Sequence, residues 1–312
     1  MFSGNARTQS WQPTRPVSVV IGFSPGSGNE LSFRTVSHIV EKATGSRFII
    51  ENRPGADGVV AANHFIEQPA NGYTIMVASQ QGIFVVPELG NPGIPRFTNN
   101  SFDYVLTIAR SPLAIIVPTS SKIVTPKDLV HAIETTQTPM TFAAGSGSHK
   151  LAYEYLVANT KANKINLQTV SYKGPAQAGL DVMGGHVSAG IIPAAVAQTM
   201  VNSGKVRFVS VLSEKRLTAI PDVPTMESTI PGLSVYAGWG IVLPKGSPPE
   251  VIKWYIDHFV PAIRSEQAQR FFRDNFMEVT EQELTPHGYQ QGMDTLRKKW
   301  YPIALRMYTK SN

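Results

Sequence analysis

Val17-Ser18-Val19-Val20-Ile21-Gly22-Phe23-Ser24-Pro25-Gly26-Ser27-Gly28-Asn29-Glu30 is the stretch whose reading decides the fold. A run rich in β-branched residues gives way to a Gly/Ser/Pro/Asn loop. Apolar Leu31, Val36, Ile39, Val40 and Ala43 then recur at helical spacing on one predicted buried face, and Gly45 ends the segment. Strand, loop and helix in that order form half of a βαβ unit, and the pattern repeats. Phe48-Ile49-Ile50 reads as a strand, Val59, Ala62 and Ile66 as the inner face of a short helix, and Asn71-Gly72 as the turn before a strand from Tyr73 to Ala78.

Thr125-Pro126-Lys127-Asp128 is a helix start, with Thr as N-cap, Pro at the first helical position and an acid at the third. A strand from Met140 to Ala143 then meets a second Gly/Ser loop, Ala144-Gly145-Ser146-Gly147-Ser148-His149, and a helix expected to bury Leu151, Ala152, Tyr155 and Leu156. Further strands are expected near Leu167 to Tyr172, Val187 to Ile192 and Val206 to Leu212. Such alternation predicts an α/β fold, with mainly parallel sheets covered by helices.

The chain has 312 residues, 42% of them hydrophobic, enough for two domains with separate cores. From Pro221 to Pro249 it becomes rich in Pro and Gly around a strand from Val235 to Leu243, which suits a return from one domain to the other. Pro248 to Met307 is expected to be helical, with Trp254, Phe259, Phe271, Phe272 and Trp300 as apolar anchors. The expected division is therefore domain 1 at residues 1–113 and 237–312 and domain 2 at residues 114–236, joined by two crossings that make a hinge.

Composition excludes several functions. The formal charge of +6 is spread along the chain without a basic stripe carrying interleaved aromatics, so nucleic acid is not an expected partner. With no cysteine there is no disulfide, thiolate metal site or cysteine nucleophile. The seven histidines show no metal-ligand spacing and the acids no calcium-loop spacing, so no metal is expected. No apolar run approaches the roughly 20 residues of a membrane span, so direct membrane insertion is not expected. The polar beginning lacks the apolar core of a signal peptide; the chain is either cytoplasmic or has lost a leader.

Gly22-Phe23-Ser24-Pro25-Gly26 matches the G-x-S-x-G elbow of serine hydrolases. An elbow needs the residue after the serine to donate its amide to the oxyanion, and Pro25 has none. Gly26-Ser27-Gly28 lacks the third glycine of a dinucleotide loop and the Lys-Ser/Thr of a phosphate loop, so no nucleotide cofactor is expected. Two explanations of the loop stay open. Ser27, Asn29 and the glycines cap the helix, or they leave its first amides free for an anion favoured by the helix dipole. The second Gly/Ser loop, at the same kind of junction in the other domain, favours a clamp at the carboxyl ends of parallel strands. Three or four charge-assisted contacts of about 1.5 to 3 kcal/mol each suffice for the roughly 8 kcal/mol of a micromolar complex after closure costs.

From Arg15 to about Leu305 the chain resembles the solute receptors of tripartite tricarboxylate transporters, also called Bug proteins. The likeness rests on Phe23-x-Pro25-Gly26, Glu51-Asn52-Arg53-Pro54-Gly55-Ala56-x-Gly58, Asn71-Gly72-Tyr73-Thr74, the loop at 145–149, Tyr172-Lys173-Gly174, Gly184-Gly185-x-Val187 and Leu217 through Pro221-Asp222-Val223-Pro224-Thr225. It implies a two-domain periplasmic-binding-protein fold that closes on a small organic carboxylate. It further implies a monomeric, non-enzymatic receptor in the periplasm, its leader absent from this chain, that delivers the ligand to a tripartite tricarboxylate permease. The same resemblance makes Ser24, Ser27, Gly28, Asn29, Gly145, Ser146, Ser148 and His149 the polar contacts, and Phe23, Ser79, Gln80, Tyr172, Lys173, Pro193 and Ala194 the cleft lining.

The sequence departs from the family where Gly-Gly and a later Asp are replaced by Gly26-Ser27 and Glu30, and where the Asp after Gly-Gly-x-Val is Ser188. An acid lost near the cleft favours a dicarboxylate or an aromatic carboxylate. Phe84 and Trp239 either select for a ring or pack in the core. The rival functions are a ligand-sensing adaptor for a membrane signalling protein and an esterase using Ser24.

Overall fold

The structure is a computed structural model that describes residues 11–80, 83, 96–144, 147–161, 164–172 and 175–309. Gly145, Ser146, Lys173 and Phe84 lie outside the described residues.

One nine-stranded sheet runs through the molecule in the order β2-β1-β3-β9-β4-β7-β5-β6, with β8 on β4. In the first half, β1 (Val17–Ile21) lies between β2 (Phe48–Asn52) and β3 (Thr74–Ser79), both parallel to it. In the second, β5 (Met140–Ala144) lies between β6 (Leu167–Val170) and β7 (Ala189–Pro193), again parallel. Consecutive strand-helix-strand units make these parallel pairs. The centre is antiparallel, because its strands arrive from the opposite half: β9 (Tyr236–Pro244) joins β3 to β4 (Phe102–Pro118), and β7 and β8 (Val206–Val211) flank the far end of β4.

Strand β4, 17 residues long, has no counterpart among the elements expected from the sequence. It pairs with β9 from Phe102 to Pro112 and with β7 from Leu113 onward, so one strand carries both halves of the sheet. The handover falls on Pro112, whose missing amide is tolerable where one partner leaves and the next begins.

Helices cover both faces of each half. On one face of the first half, α1 (Gly28–Thr44) buries Phe33, Val36 and Val40 against Val251, Tyr255 and Phe259 of a C-terminal helix, Pro249–Arg264. Leu31 and Ala43, expected on that buried face, are exposed; Phe33, Val36 and Val40 share a different stripe, and the aromatic ring sets the orientation. The other face is covered by α2 (Val59–Phe65). In the second half α3 (Pro126–Thr135) and α4 (Gly147–Ala158) take one face, and α5 (Pro175–Met183) and α6 (Ala194–Val201) the other. After α7 (Pro249–Arg264) and α8 (Glu266–Asp274), the last helix, α9 (Pro286–Thr309), straddles the molecule. Its Tyr289 and Met293 pack with Phe65 and Tyr104 of the first half, while Trp300 and Ile303 pack with Leu151 and Leu156 of the second.

The start of α3 carries the capping box expected from the sequence. Thr125 Oγ1 accepts the Asp128 amide at 3.2 Å and Asp128 Oδ2 accepts the Thr125 amide at 2.8 Å.

Candidate functional site

Strand register places the loops. Ser79, which ends β3, pairs with Trp239, and Trp239 with Ala109 of β4. Pro193, which ends β7, pairs with Leu113 of the same strand. Strand β3 runs in the direction of β4 and β7 against it, so their carboxyl ends point at each other across residues 109 to 113, roughly 13 Å at ~3.3 Å per residue. Strands β1 and β5 run with β3 and β7 respectively. The first turns of α1, α4 and α6 therefore all lie at strand ends that face one interval of β4.

The first loop is tightly specified. Ser24-Pro25-Gly26-Ser27 forms a β-turn closed by the Ser27 amide donating to the Ser24 carbonyl at 3.2 Å, with Pro25 at its first corner and Gly26 at φ 81° at its second. A nucleophile elbow strains the serine itself, whereas here the positive φ belongs to Gly26 and Ser24 is an exposed turn residue. Ser27 is the N-cap of α1 by backbone (φ −67°, ψ 156°), yet its side chain makes no capping hydrogen bond. Its Oγ is buried and has no partner among the described residues. The amides of Gly28, Asn29 and Glu30, the first of the helix, have no intrahelical acceptor. Helix capping thus fails to account for the Ser27 hydroxyl, which sits unpaired beside the first amides of the helix.

Behind the loop lies Glu30, 4% exposed. Its carboxylate accepts the Arg34 guanidinium at 2.6 Å, the Asn52 side-chain amide at 3.2 Å and the Gly26 backbone amide at 3.2 Å. Burial works to raise its pKa, but the bonds from Arg34, Asn52 and Gly26 outweigh it and hold the carboxyl below the usual carboxylate range. Asn52 Nδ2 also donates to the Phe23 carbonyl at 2.9 Å, and Phe23 packs half-buried against the first-half core. Asn52 belongs to a motif quoted above, but its side-chain link to a loop 29 residues earlier has no sequence signal.

Trp239 is a core residue. Its ring packs 4% exposed, Nε1 donates to Ser32 Oγ at 2.6 Å, and a Cβ on Gly28 would lie 3.2 Å from it, so the indole forms the wall beneath the tip of α1. Asn29 is buried in the first turn of α1. Ser79 is half-buried at the end of β3, and Gln80 is buried with Nε2 donating to Thr107 Oγ1 at 3.3 Å. A Cβ on Gly238 would meet Gln80 Oε1 at 2.0 Å, so this glycine is the space the Gln80 side chain occupies.

In the second half, Ser148 is buried and His149 half-buried in the first turn of α4. Pro193 and Ala194 form the junction between β7 and α6. The Tyr172 hydroxyl donates to Asp181 at 2.7 Å, and burial together with that carboxylate pushes it up to about 12. Asp181 in turn lies 3.5 Å from His186, so Tyr172 is engaged within its own half. Ser188 requires a correction. It precedes β7 at the end opposite Pro193, exchanges hydrogen bonds with Thr141, and lines an open hollow of about 520 Å³ with Pro118, Thr141 and His186. Position 188 is thus not at the facing strand ends, and the expectation that an acid lost there alters the ligand has no structural basis.

Among the described residues no group of three or more His, Asp or Glu side chains is placed to hold a metal ion, and no helix is long and apolar enough to cross a membrane.

The sequence model of the family described as "Tripartite tricarboxylate transporter family receptor" matches residues 32–303. The chain belongs to this receptor family. A UPF0065 protein of Bordetella bronchiseptica is 29% identical over 247 residues, covering 79% of this chain and 72% of the relative. BugT of Bordetella pertussis is 26% identical over 264 residues, covering 83% and 80%. Among solved structures, an R. palustris protein with adipate superposes at TM-score 0.82 with 23% identity, covering 94% of this chain and 97% of that one. MatC from Rhodopseudomonas palustris with bound malate gives 0.80 with 20% identity, covering 94% and 100%, and BugD, a periplasmic binding protein, gives 0.79 with 24% identity, covering 94% and 97%. This receptor therefore has the two-lobed α/β architecture of periplasmic binding proteins.

Proposed function

We propose that this receptor captures a small organic carboxylate between its lobes, without catalysis, and delivers it in the periplasm to a tripartite tricarboxylate permease. The Ser27 side chain carries the proposal: a buried hydroxyl with no partner among the described residues, beside the first amides of α1, those of Gly28, Asn29 and Glu30, at the positive end of a 17-residue helix. A buried donor left unmade costs about 1–3 kcal/mol, and a carboxylate oxygen supplies the missing acceptor while benefiting from the helix dipole. Adipate and malate in two related folds support the ligand class. Gly28, Ser24 and Asn29 share the tip, and Ser148 and His149 form the opposing tip on α4; Gly145 and Ser146, outside the described residues, are candidate contacts by sequence alone. Phe23, Ser79, Gln80, Tyr172, Pro193 and Ala194 line the walls, and Lys173, outside the described residues, is a candidate by sequence alone.

The lobes turn about Pro112-Leu113 in β4 and Val235-Tyr236 at the start of β9, where Leu113 donates its amide to the Val235 carbonyl at 3.0 Å. Helix α9 is a third connection, so closure bends or slides its packing on one lobe. Titration calorimetry with adipate, malate and benzoate, against glutamate and glucose as contrast, tests the proposal. Micromolar binding of at least one acid, about 8 kcal/mol, supports it. Binding of glucose alone, or of no compound in the set, contradicts it.

A further inference from the structure

A complete capping box exchanges two bonds: the N-cap hydroxyl accepts the N3 amide, and the N3 carboxylate accepts the N-cap amide. Thr125 and Asp128 make both. Ser27 and Glu30 occupy the same positions at α1 and make neither. The Ser27 amide turns to the Ser24 carbonyl, the Ser27 hydroxyl is unpaired, and Glu30 reaches one residue further back to the Gly26 amide.

From this we infer that Glu30 is a positioning residue, which braces the loop from behind so that the Ser27 hydroxyl and the first amides of α1 are presented to the ligand, without itself touching it. The inference rests on the proposed function. Glu30 ties the loop at Gly26 directly and at Phe23 through Asn52, whose single Nδ2 donates to both the Phe23 carbonyl and Glu30 Oε2. Its other oxygen is taken by Arg34. Among the described residues Glu30 is the one charged side chain that is buried, so the fold accepts the desolvation of a carboxylate at this point and satisfies both of its oxygens. Consequently both carboxylate oxygens are engaged from behind the loop, and Glu30 shapes the tip without facing the ligand.

A double-mutant cycle separates bracing from mere stability, with adipate and malate as probes and all variants measured well below their melting temperatures. Ser27→Ala and Glu30→Gln each weaken binding about tenfold, since whichever way the new amide turns, the Gly26 and Asn52 donors meet either an NH₂ or a neutral oxygen in place of a carboxylate, and a neutral acceptor is the weaker one. Because Glu30 acts through Ser27, the double variant loses about 10- to 20-fold instead of the roughly 100-fold of independent effects. Arg34→Gln, which breaks only the partly exposed ion pair, stays within about twofold. Additive losses, or an Arg34→Gln effect equal to that of Glu30→Gln, overturn the inference. The ligand-free protein gives a second arm. The Gly26 amide proton, assigned by NMR, moves on Glu30→Gln and holds its shift on Arg34→Gln; an unmoved Gly26 resonance in Glu30→Gln overturns the brace. A wild type that binds neither probe and no other carboxylate refutes the proposed function instead, and the NMR arm still decides the brace.

Discussion

Replacing Ser27 with alanine is expected to leave the ligand-free protein as stable as before, or more so, while weakening its ligand. An N-cap serine ordinarily contributes about 0.5–2 kcal/mol, lost on truncation to alanine. Here the hydroxyl makes no capping bond and its oxygen is buried without a partner among the described residues, so the term that usually opposes truncation is missing. What alanine removes is the desolvation of an unpaired hydroxyl, and the expected change lies between zero and about 1 kcal/mol of added stability. Thr125 is the internal standard: it holds a complete capping box, and Thr125→Ala is expected to cost about 1 kcal/mol. Urea unfolding of the ligand-free wild type and both variants, with matched slopes, measures the contrast, and calorimetry on the same preparations measures the roughly tenfold loss of carboxylate affinity in Ser27→Ala alone. A Ser27→Ala protein that unfolds as easily as Thr125→Ala shows that the hydroxyl is a cap, and the ligand account of this loop falls with it.

Other outcomes follow from the same geometry. Glu30 has a depressed pKa in the folded state, so its contribution to stability is present above the unfolded carboxyl value, about 4.3, and is lost as pH falls through the folded value; the acid side of a stability–pH curve should flatten in Glu30→Gln. Gly22→Ala would set a Cβ 2.5 Å from the Gly58 Cα, a backbone atom that cannot swing aside, at the exit of β1; a loss of about 1–3 kcal/mol and a displaced first loop are expected by urea unfolding and crystallography. Trp300, 1% exposed where α9 crosses to the second half, should cost about 3–5 kcal/mol as Trp300→Ala by the same unfolding assay.

Local chemistry was legible in the sequence wherever neighbouring residues decide it. Thr125-Pro126-Lys127-Asp128 announces its capping box because both bonds lie within four residues, and Gly45 ends α1 in the left-handed conformation its lack of a Cβ permits. Strand β4 was illegible. Its apolar run is interrupted by Arg110-Ser111-Pro112, which reads as a boundary, and the partners that make it continuous, β9 on one side and β7 on the other, come from more than 70 residues later. The orientation of α1 was misjudged for a similar reason: Leu31 and Phe33 are both compatible with a helical stripe, and the stacking of Phe33 on Phe259 at 5.9 Å decides between them. At the site, the two Gly/Ser loops were evident from composition and position. The brace behind the first was not, since Glu30 and Asn52 meet only after β2 has paired with β1. Ser188 shows the opposite error, in which a motif position was assigned to the facing strand ends although a strand's length separates it from them.

The most direct measurement is a crystal structure of the receptor with its tightest-binding acid. The predicted result places a ligand carboxylate oxygen within about 3 Å of Ser27 Oγ and the first amides of α1, with the start of α4 closing from the other side. An acid lodged in the hollow beside Ser188, or anywhere that leaves Ser27 Oγ unpaired, would contradict the account.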